Sequence, residues 1–195
     1  MMRNRKDLLC GQFVRLAAQD ADEAGEYYAR WAQDESFTRM IESDPLVLLS
    51  TKAHRAKAAR DWPEDDPANI MFVVRTLEDD RLIGFANLDY IQWSHGDTYI
   101  GIGIGEREFW GKGYGRDALN ILLRYAFMEL NLRRVTLTVF EYNERAIRMY
   151  RRAGFHQEGL HRQVLRREGR RWDMLEMGIL REEWMENYGN RNSDR

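Results

Sequence analysis

The sequence from Thr98 to Arg116 reads Thr-Tyr-Ile-Gly-Ile-Gly-Ile-Gly-Glu-Arg-Glu-Phe-Trp-Gly-Lys-Gly-Tyr-Gly-Arg. Its first part, Thr98 to Ile104, alternates like a β-strand, and helical spacing begins near Tyr114. The glycines between them therefore form a turn that opens a helix. Such a turn exposes backbone N–H groups at the positive end of the helix dipole, where they can hold a phosphate or pyrophosphate. From the glycines alone, a tight turn that merely requires positive φ explains the pattern equally well.

Two common phosphate-binding loops do not fit these residues. A P-loop requires Ser or Thr after its lysine, whereas Gly113 follows Lys112. A dinucleotide-binding turn has the spacing Gly-x-Gly-x-x-Gly, whereas Gly111, Gly113 and Gly115 alternate. A phosphate held here belongs to another kind of ligand.

The predicted strand has one nearly bare face. Ile100, Ile102 and Ile104 point to one side, and Gly101 and Gly103 point to the other, because side chains alternate across a pleated sheet. Glycine weakens a strand interior, so its repetition indicates either a bulge or the close approach of another group to the backbone. A tightly packed helix and a ligand lying along the strand are the two alternatives.

The pattern along the chain alternates short strands with helices and predicts a mixed α+β fold with one large sheet covered by helices. A helix is predicted from Tyr114 to about Leu130, and Asn143 is predicted to cap another that ends at Gly154. Asp20 is predicted to cap an earlier helix. The remaining predictions are a helix at Thr51–Trp62, ended by the stretch from Pro63 to Pro67, and strands at Gln12–Leu16, Met71–Arg75, Leu82–Ile91, Val135–Phe140, Phe155–Leu165 and Trp172–Leu180.

Composition limits the kind of protein. With 195 residues, of which 44% are hydrophobic, the chain predicts one domain over residues 1–185 and a frayed tail over 186–195. A net charge of −2 argues against nucleic acid as the main partner, and the basic stretch from His161 to Arg171 is interrupted like a solvated hairpin tip. The single cysteine, Cys10, is typical of a reducing compartment. With no signal peptide and no apolar run of about 20 residues, we expect a cytoplasmic protein without membrane or metal partners.

Two segments carry a family resemblance. The first is the run from Ile100 to Leu119, and the second is Asn143 to Phe155, which reads Asn-Glu-Arg-Ala-Ile-Arg-Met-Tyr-Arg-Arg-Ala-Gly-Phe. Together they resemble the GCN5-related N-acetyltransferases (GNAT), and in particular the branch of spermidine acetyltransferase and the ribosomal-protein alanine acetyltransferases. The resemblance implies a single, mostly antiparallel sheet that splays between its fourth and fifth strands, with helices on both faces. It also implies acetyl-CoA as cosubstrate.

The resemblance assigns roles to individual residues. In the family, the glycine turn binds the pyrophosphate through main-chain amides, and the fourth strand pairs with pantetheine and offers an oxyanion-stabilising N–H, here near Ile104. Tyr150 stands at the position of the general acid, although its residue type alone favours a buried aromatic. Trp110 departs from the usual Arg or Gln, and Asn143 is either a helix cap or a ligand of the cofactor or of a water. The implied cofactor-binding residues are Ile102, Gly103, Ile104, Trp110, Gly111, Lys112, Gly113, Tyr114, Gly115, Arg116 and Asn143.

The general base and the acceptor remain open. Some relatives carry a glutamate where this chain has Thr138, so Asp89, His95, Glu106 and a chain of waters are the alternatives. Acceptor recognition is expected from the first two helices, their connecting loop and the hairpin around Arg167. Candidate acceptor residues there and nearby are the acids Glu35, Glu42 and Asp44, which also fit solvated loop charges, and the aromatics Trp31, Phe37, Tyr90, Trp93 and Trp172.

The expected function is transfer of the acetyl group of acetyl-CoA directly onto a primary amine, either a polyamine-like small molecule or a protein N-terminus. A covalent intermediate is not expected, because Cys10 is distant from the motif and no nucleophile pattern surrounds it. An acyl-CoA-binding sensor without turnover is the alternative, and a scaffold without cofactor is a third. A homodimer is common among such relatives.

Overall fold

The computed structural model describes residues 8–61 and 66–186. Within them, seven strands and five α-helices follow one another along the chain, and residues 181–186 are helical as well. The strands are β1 (Val14–Ala18), β2 (Ile70–Thr76), β3 (Leu82–Gln92), β4 (Asp97–Ile104), β5 (Arg134–Phe140), β6 (His156–Arg167) and β7 (Arg170–Leu180), and the helices are α1 (Ala21–Trp31), α2 (Glu35–Ile41), α3 (Thr51–Asp61), α4 (Tyr114–Arg124) and α5 (Glu144–Ala153).

The strands form one sheet in the order β1-β2-β3-β4-β5-β7-β6. Each neighbouring pair is antiparallel except β4 and β5, which run parallel. The predicted single, mostly antiparallel sheet is confirmed. No helix in the described ranges is long and apolar enough to cross a membrane.

The sheet opens between β4 and β5. The two strands pair at only three positions, Asp97 with Arg134, Thr98 with Val135 and Tyr99 with Thr136. Beyond Tyr99, β4 stays paired with β3 as far as Ile104, whereas β5 stays paired with β7 as far as Phe140. The two halves of the sheet therefore diverge, and the predicted splay is confirmed.

Helices cover both faces, as predicted. On one face, α4 and α5 bury Ala118, Leu122 and Ile147 in a large core with strand residues such as Leu137. On the other face, α1 and α2 pack a smaller cluster around Ala24, Trp31, Phe37, Val73 and Leu82. Each face is covered by its own helices, so the splay between β4 and β5 is where an opening can lead from one face of the sheet to the other.

The bare face of β4 is filled by side chains. A Cβ on Gly101 would lie 2.5 Å from Oδ1 of Asn87, and one on Gly103 would lie 2.7 Å from Cε1 of Phe85 and 3.2 Å from Cζ of Phe37. The prediction that other groups approach the backbone of β4 closely is therefore correct. The approaching groups are side chains of β3 and α2, so the glycines are needed for this packing independently of any ligand.

Some elements differ from the sequence-based prediction. The segment around Glu35 is the short helix α2, capped by Asp34, where no helix was predicted. The helix predicted to reach Leu130 is α-helical to Arg124 and continues as a π-turn over Tyr125–Glu129. Helix α3 is described as far as Asp61; Trp62, the start of the acidic stretch and the tail beyond residue 186 lie outside the described residues.

Candidate active site

A cleft of about 650 Å³ passes through the splay. One of its walls is β4 from Ile100 to Ile104, and the opposite wall is Thr138 to Phe140 of β5. On the α4–α5 face it is lined by the glycine turn, Arg116, Asn143 and Tyr150, and on the other face by Phe37, Met40 and Ile41 of α2. A molecule entering from one face can therefore meet a molecule entering from the other at the middle of the sheet.

The glycine turn opens α4 with positive φ angles, 73° at Gly111 and 96° at Gly113. Gly113 occupies the N-cap position, so no side chain caps the first amides of α4. The Asp117 carboxylate accepts hydrogen bonds from the N–H groups of Phe13, at 2.7 Å, and Val14, at 3.1 Å, which ties α4 to the chain entering β1. The uncapped helix start is thus fixed beside the cleft, where its amides suit a pyrophosphate.

Cationic side chains surround this helix start. Lys112 and Arg116 were predicted from the motif, and both line the cleft. Three arginines of α5, Arg145, Arg148 and Arg152, also line it and were missed in the sequence. Their spacing of three and four residues places them on one side of a helix, which is the signal that could have found them. Burial lowers the pKa of Arg145, which lies 4.2 Å above the Trp110 ring.

Trp110 lies in the wall of the cleft, where its side chain stabilises the glycine turn. Its Nε1 donates a hydrogen bond of 2.6 Å to the carbonyl of Ile104, which holds the turn against the end of β4. Tyr114 differs from the other predicted cofactor-binding residues, because its ring packs 5.4 Å from Phe13 and 4.8 Å from Phe109 and does not line the cleft. Only its main-chain amide, at the start of α4, is available to a ligand.

The free edge of β4 lies along the cleft. Backbone groups alternate between the two neighbours of a strand, and the N–H of Gly105 donates to the carbonyl of Ile83 in β3 at 2.9 Å. Gly103, two residues earlier, therefore also directs its backbone groups to β3, contrary to the prediction that it pairs with pantetheine. The amides of Ile102 and Ile104 face the splay, where β5 no longer pairs.

Tyr150 projects from α5 into the middle of the cleft. The helix begins at Asn143, whose Oδ1 accepts a hydrogen bond of 3.2 Å from the N–H of Ala146, so the predicted capping role is present. Tyr150 is only 7% exposed and packs edge-on against Phe155 at 5.7 Å. Burial raises the pKa of its hydroxyl, for which no group in residues 8–61 and 66–186 provides a hydrogen bond.

A polar cluster lies where β4 and β5 begin to diverge. Glu176 of β7 stands opposite Thr138, so both side chains lie on the same face of the sheet. The Tyr99 hydroxyl donates to Oε1 of Glu176 at 3.3 Å, and Nε2 of His161 lies 3.1 Å from Oε2. Sequence analysis missed Glu176, because its register opposite Thr138 depends on the pairing of β5 with β7.

The other candidate bases have different surroundings. Glu106 is hydrogen-bonded by Nε1 of Trp31 at 2.9 Å and forms an ion pair with Arg81 at 3.0 Å, so its carboxylate fixes the start of the glycine segment. His95 is exposed in the β3–β4 turn. Asp89 is bonded by the Asn87 side chain, and burial raises the pKa of its carboxyl group.

The candidate acceptor residues are only partly brought together. Phe37 lines the cleft, and Trp31, Glu42 and Asp44 line a smaller cavity beside it. Glu35 instead pairs with Arg39. Tyr90 and Trp93 are exposed away from both cavities, and Trp172 packs 5.0 Å from Tyr142. The described residues contain no cluster of three potential metal ligands.

Comparisons with known proteins agree with this geometry. Residues 14–156 match the family model of the acetyltransferase (GNAT) domain. The chain is 28% identical to the N-acetyltransferase p20 of Bacillus licheniformis over 170 residues, which cover 87% of this chain and 92% of p20. It is 33% identical to the spermidine N(1)-acetyltransferase of Vibrio cholerae over 120 residues, which cover 62% of this chain and 68% of the relative.

Solved structures share the fold. The spermidine N-acetyltransferase of Vibrio cholerae in complex with CoA and spermine superposes with a TM-score of 0.77 at 25% identity, covering 88% of this chain and 98% of that one. A dodecameric structure of the same enzyme has a TM-score of 0.72 at 25% identity, covering 88% and 96%. The chain therefore belongs to the GNAT family and is an acetyl-CoA-dependent N-acetyltransferase that acts on amines.

Proposed function

We propose that acetyl-CoA enters the cleft from the α4–α5 face, that the acceptor amine enters from the α2 face, and that the acetyl group passes directly between them beside Tyr150. The observation that carries this proposal is the cleft itself, which joins the uncapped, cation-lined start of α4 to the opposite face of the sheet through the splay. No covalent enzyme intermediate is part of the proposal.

The chain offers matching groups for each part of acetyl-CoA. The first amides of α4, with Lys112, Arg116 and the arginines of α5, bind the pyrophosphate. The backbone of Ile102 pairs with the pantetheine as a strand would, which leaves the N–H of Ile104 for the thioester carbonyl. A main-chain N–H of β4 near Ile104 stabilises the oxyanion that forms on the thioester carbonyl. Trp110 keeps this part of β4 in place, because its indole occupies the Ile104 carbonyl.

Tyr150 acts on the leaving group. The amine nitrogen forms its bond to the carbonyl carbon and gives the tetrahedral oxyanion; when this collapses, the C–S bond breaks and the sulfur gains the electron pair. The Tyr150 hydroxyl donates a hydrogen bond to that sulfur and gives up its proton only in part, so Tyr150 stays a phenol, and the released thiolate of CoA takes its proton from solvent. Because a phenol is a weaker acid than a thiol, this step depends on orientation rather than on acidity. Burial of Tyr150 and its place on a capped helix supply that orientation.

The amine must also lose a proton, and we assign its acceptance to Glu176, directly or through one water. Glu176 lies opposite Thr138, which lines the cleft, and its side chain is on the face of the sheet from which the amine arrives. Tyr99 and His161 fix its two oxygens, and the exposed His161 can pass the proton on to solvent.

Replacement of Glu176 by Gln is expected to lower kcat/KM about 10- to 100-fold near neutral pH, which is within the range of general base catalysis. The loss should shrink as pH rises, because a larger fraction of the amine is then already deprotonated. Asp89→Asn removes a carboxylate from the same face and serves as the control, with a small effect expected. A large loss in Asp89→Asn together with a normal rate in Glu176→Gln would move the assignment to Asp89.

The pH profile provides a second test of Tyr150. A proton donor must be protonated to act, and burial raises the pKa of Tyr150 above the ordinary tyrosine value of about 10. The rate should therefore rise with pH as the amine deprotonates and should show no decline from Tyr150 below about pH 10. A declining limb below that pH, absent in Tyr150→Phe, would contradict a buried, protonated donor.

The broader assignments are also part of the proposal. We infer a single domain over residues 1–185 that acts in the cytoplasm, supported by the one continuous sheet and the single free Cys10. An oligomer, a homodimer or larger, is supported by the dodecameric structure of the Vibrio cholerae relative. Light scattering of the purified protein measures this directly, and a monomer at working concentration would contradict it.

A further inference from the structure

A second cavity, of about 290 Å³, lies beside the cleft between α1, α2 and the loop over residues 42–50. Phe37, Ile41 and Phe85 line both the cavity and the cleft. The cavity is therefore next to the end of the cleft from which the amine arrives. Its volume is at the lower limit for ligand pockets, about 300 Å³, so it suits one bulky group rather than a whole large ligand.

The walls of this cavity present mostly carbon. The Tyr28 hydroxyl donates to Gln19 at 2.7 Å, and Nε1 of Trp31 donates to Glu106 at 2.9 Å. The polar atoms of both side chains are thus occupied elsewhere, and their rings remain for contact. Ile41, Phe37 and Phe85 add further apolar surface. Two acidic residues, Glu42 and Asp44, and the cationic Lys57 also line the cavity. A polyamine is therefore the competing acceptor that the test must separate from an apolar amine.

The loop that closes the cavity carries an apolar run that is unusually exposed. Leu46, Val47 and Leu49 line the cavity, yet they are 46%, 61% and 40% exposed. A contiguous group of exposed apolar side chains is typical of a binding surface. In the same region, Nε2 of His54 is buried without a partner among the described residues, so it can hydrogen-bond a polar atom of a bound group.

We propose that this cavity binds a bulky apolar substituent, aromatic or branched aliphatic, attached close to the primary amine of the acceptor. The proposal rests on the proposed function, because it assumes that the amine reaches the cleft from the α2 face. It assigns the acceptor to apolar amines, including protein N-termini with a large apolar first residue. Contact with the cavity walls then selects the acceptor, and the exposed apolar run of the loop is covered when the acceptor binds.

The test compares matched acceptors with the wild-type protein. Phenethylamine and isoamylamine represent apolar amines, ethanolamine a small polar amine and spermidine a polyamine. Peptides that begin with Phe or Ala, with an identical remainder, separate protein N-termini from free amines. We expect kcat/KM to be at least about tenfold higher for the apolar member of a pair, a typical discrimination by an apolar pocket. Equal values, or a preference for spermidine, would overturn the proposal.

Two neighbouring leucines provide matched variants. Leu49 lines the cavity, whereas Leu48, which is 69% exposed, does not. Leu49→Asp should lower the ratio of kcat/KM for phenethylamine to that for ethanolamine at least about tenfold, and Leu48→Asp should leave the ratio unchanged. The same ratio in both variants would argue against the cavity. Thermal unfolding confirms that each variant folds, and if Leu49→Asp does not, the wild-type ratios decide alone.

The possible failures can be distinguished. If the wild-type protein acetylates none of the amines or peptides, the proposed function fails, whatever the cavity does. If it acetylates ethanolamine or spermidine as efficiently as phenethylamine and the Phe peptide, the proposed function stands and only the apolar cavity is rejected.

Discussion

Replacement of Tyr150 by Phe is expected to lower kcat at least about 100-fold, the lower range for loss of a proton donor. The substitution removes only the hydroxyl oxygen and its hydrogen, so the ring keeps its edge contact with Phe155 and its place in the core. Without the donor, the sulfur of CoA must leave as a thiolate that receives no hydrogen bond from Tyr150. Steady-state release of thiol with a saturating amine measures the effect.

The affinity for acetyl-CoA should change little in Tyr150→Phe, within about twofold by calorimetry, because the pyrophosphate and pantetheine contacts are untouched. Tyr125→Phe makes the same chemical change at a tyrosine that packs against Phe72 and does not line the cleft. Its kcat should equal that of the wild type. An unchanged kcat in Tyr150→Phe would remove Tyr150 from the mechanism.

Replacement of Gly113 by Val is expected to weaken acetyl-CoA binding at least tenfold, which corresponds to about 1.4 kcal/mol. Gly113 has a φ of 96°, which a β-branched residue adopts only at a cost of about 1–2 kcal/mol. The turn must either keep this strain or rearrange, and rearrangement turns the first amides of α4 away from the pyrophosphate. Titration calorimetry with acetyl-CoA measures the loss.

Gly169→Val separates this effect from general destabilisation. Gly169 also has a positive φ, 72°, and a Cβ there would meet nothing within 4 Å. It lies in the turn between β6 and β7, outside the cleft. Both variants should unfold at a lower temperature than the wild type, but only Gly113→Val should lose affinity. Equal acetyl-CoA affinity in the two variants would mean that the glycine turn does not bind acetyl-CoA.

Local features of the site were predictable because local chemistry determines them. Only glycine readily provides the positive φ that Gly111 and Gly113 adopt before α4, and Asn143 and Gly154 are a typical start and end for α5. Most of the residues predicted from these features and from the alternating β4 to bind the cofactor line one cleft. The splay itself followed from the family resemblance and not from any single residue.

Other features depended on tertiary contacts that the sequence pattern does not contain. Helix α2 has only seven residues, too few for a clear period, and Asp34 was not recognised as its cap. The arginines of α5 were overlooked because only the apolar face with Ile147 and Tyr150 was analysed. The direction of the Gly103 amide follows from its register with Phe85 in β3.

The acceptor side was the least predictable part. Glu176 lies 38 positions after Thr138 in the sequence, yet the pairing of β5 with β7 makes them neighbours. The second cavity combines residues from α1, α2, α3, β3 and the loop over residues 42–50, which are brought together only by the fold. Such a site exists only when the sheet and its helices are assembled.

The most direct test of the account is mass spectrometry of the products after the wild-type protein is incubated with acetyl-CoA and an amine panel, while thiol release is followed in parallel. The panel contains spermidine, aminoglycosides, amino acids, phenethylamine and N-terminal peptides. The account predicts an amine heavier by one acetyl group and one released thiol for each transfer. Binding of acetyl-CoA with no acetylated amine and no thiol release would contradict it and would favour a protein that senses acyl-CoA without turnover.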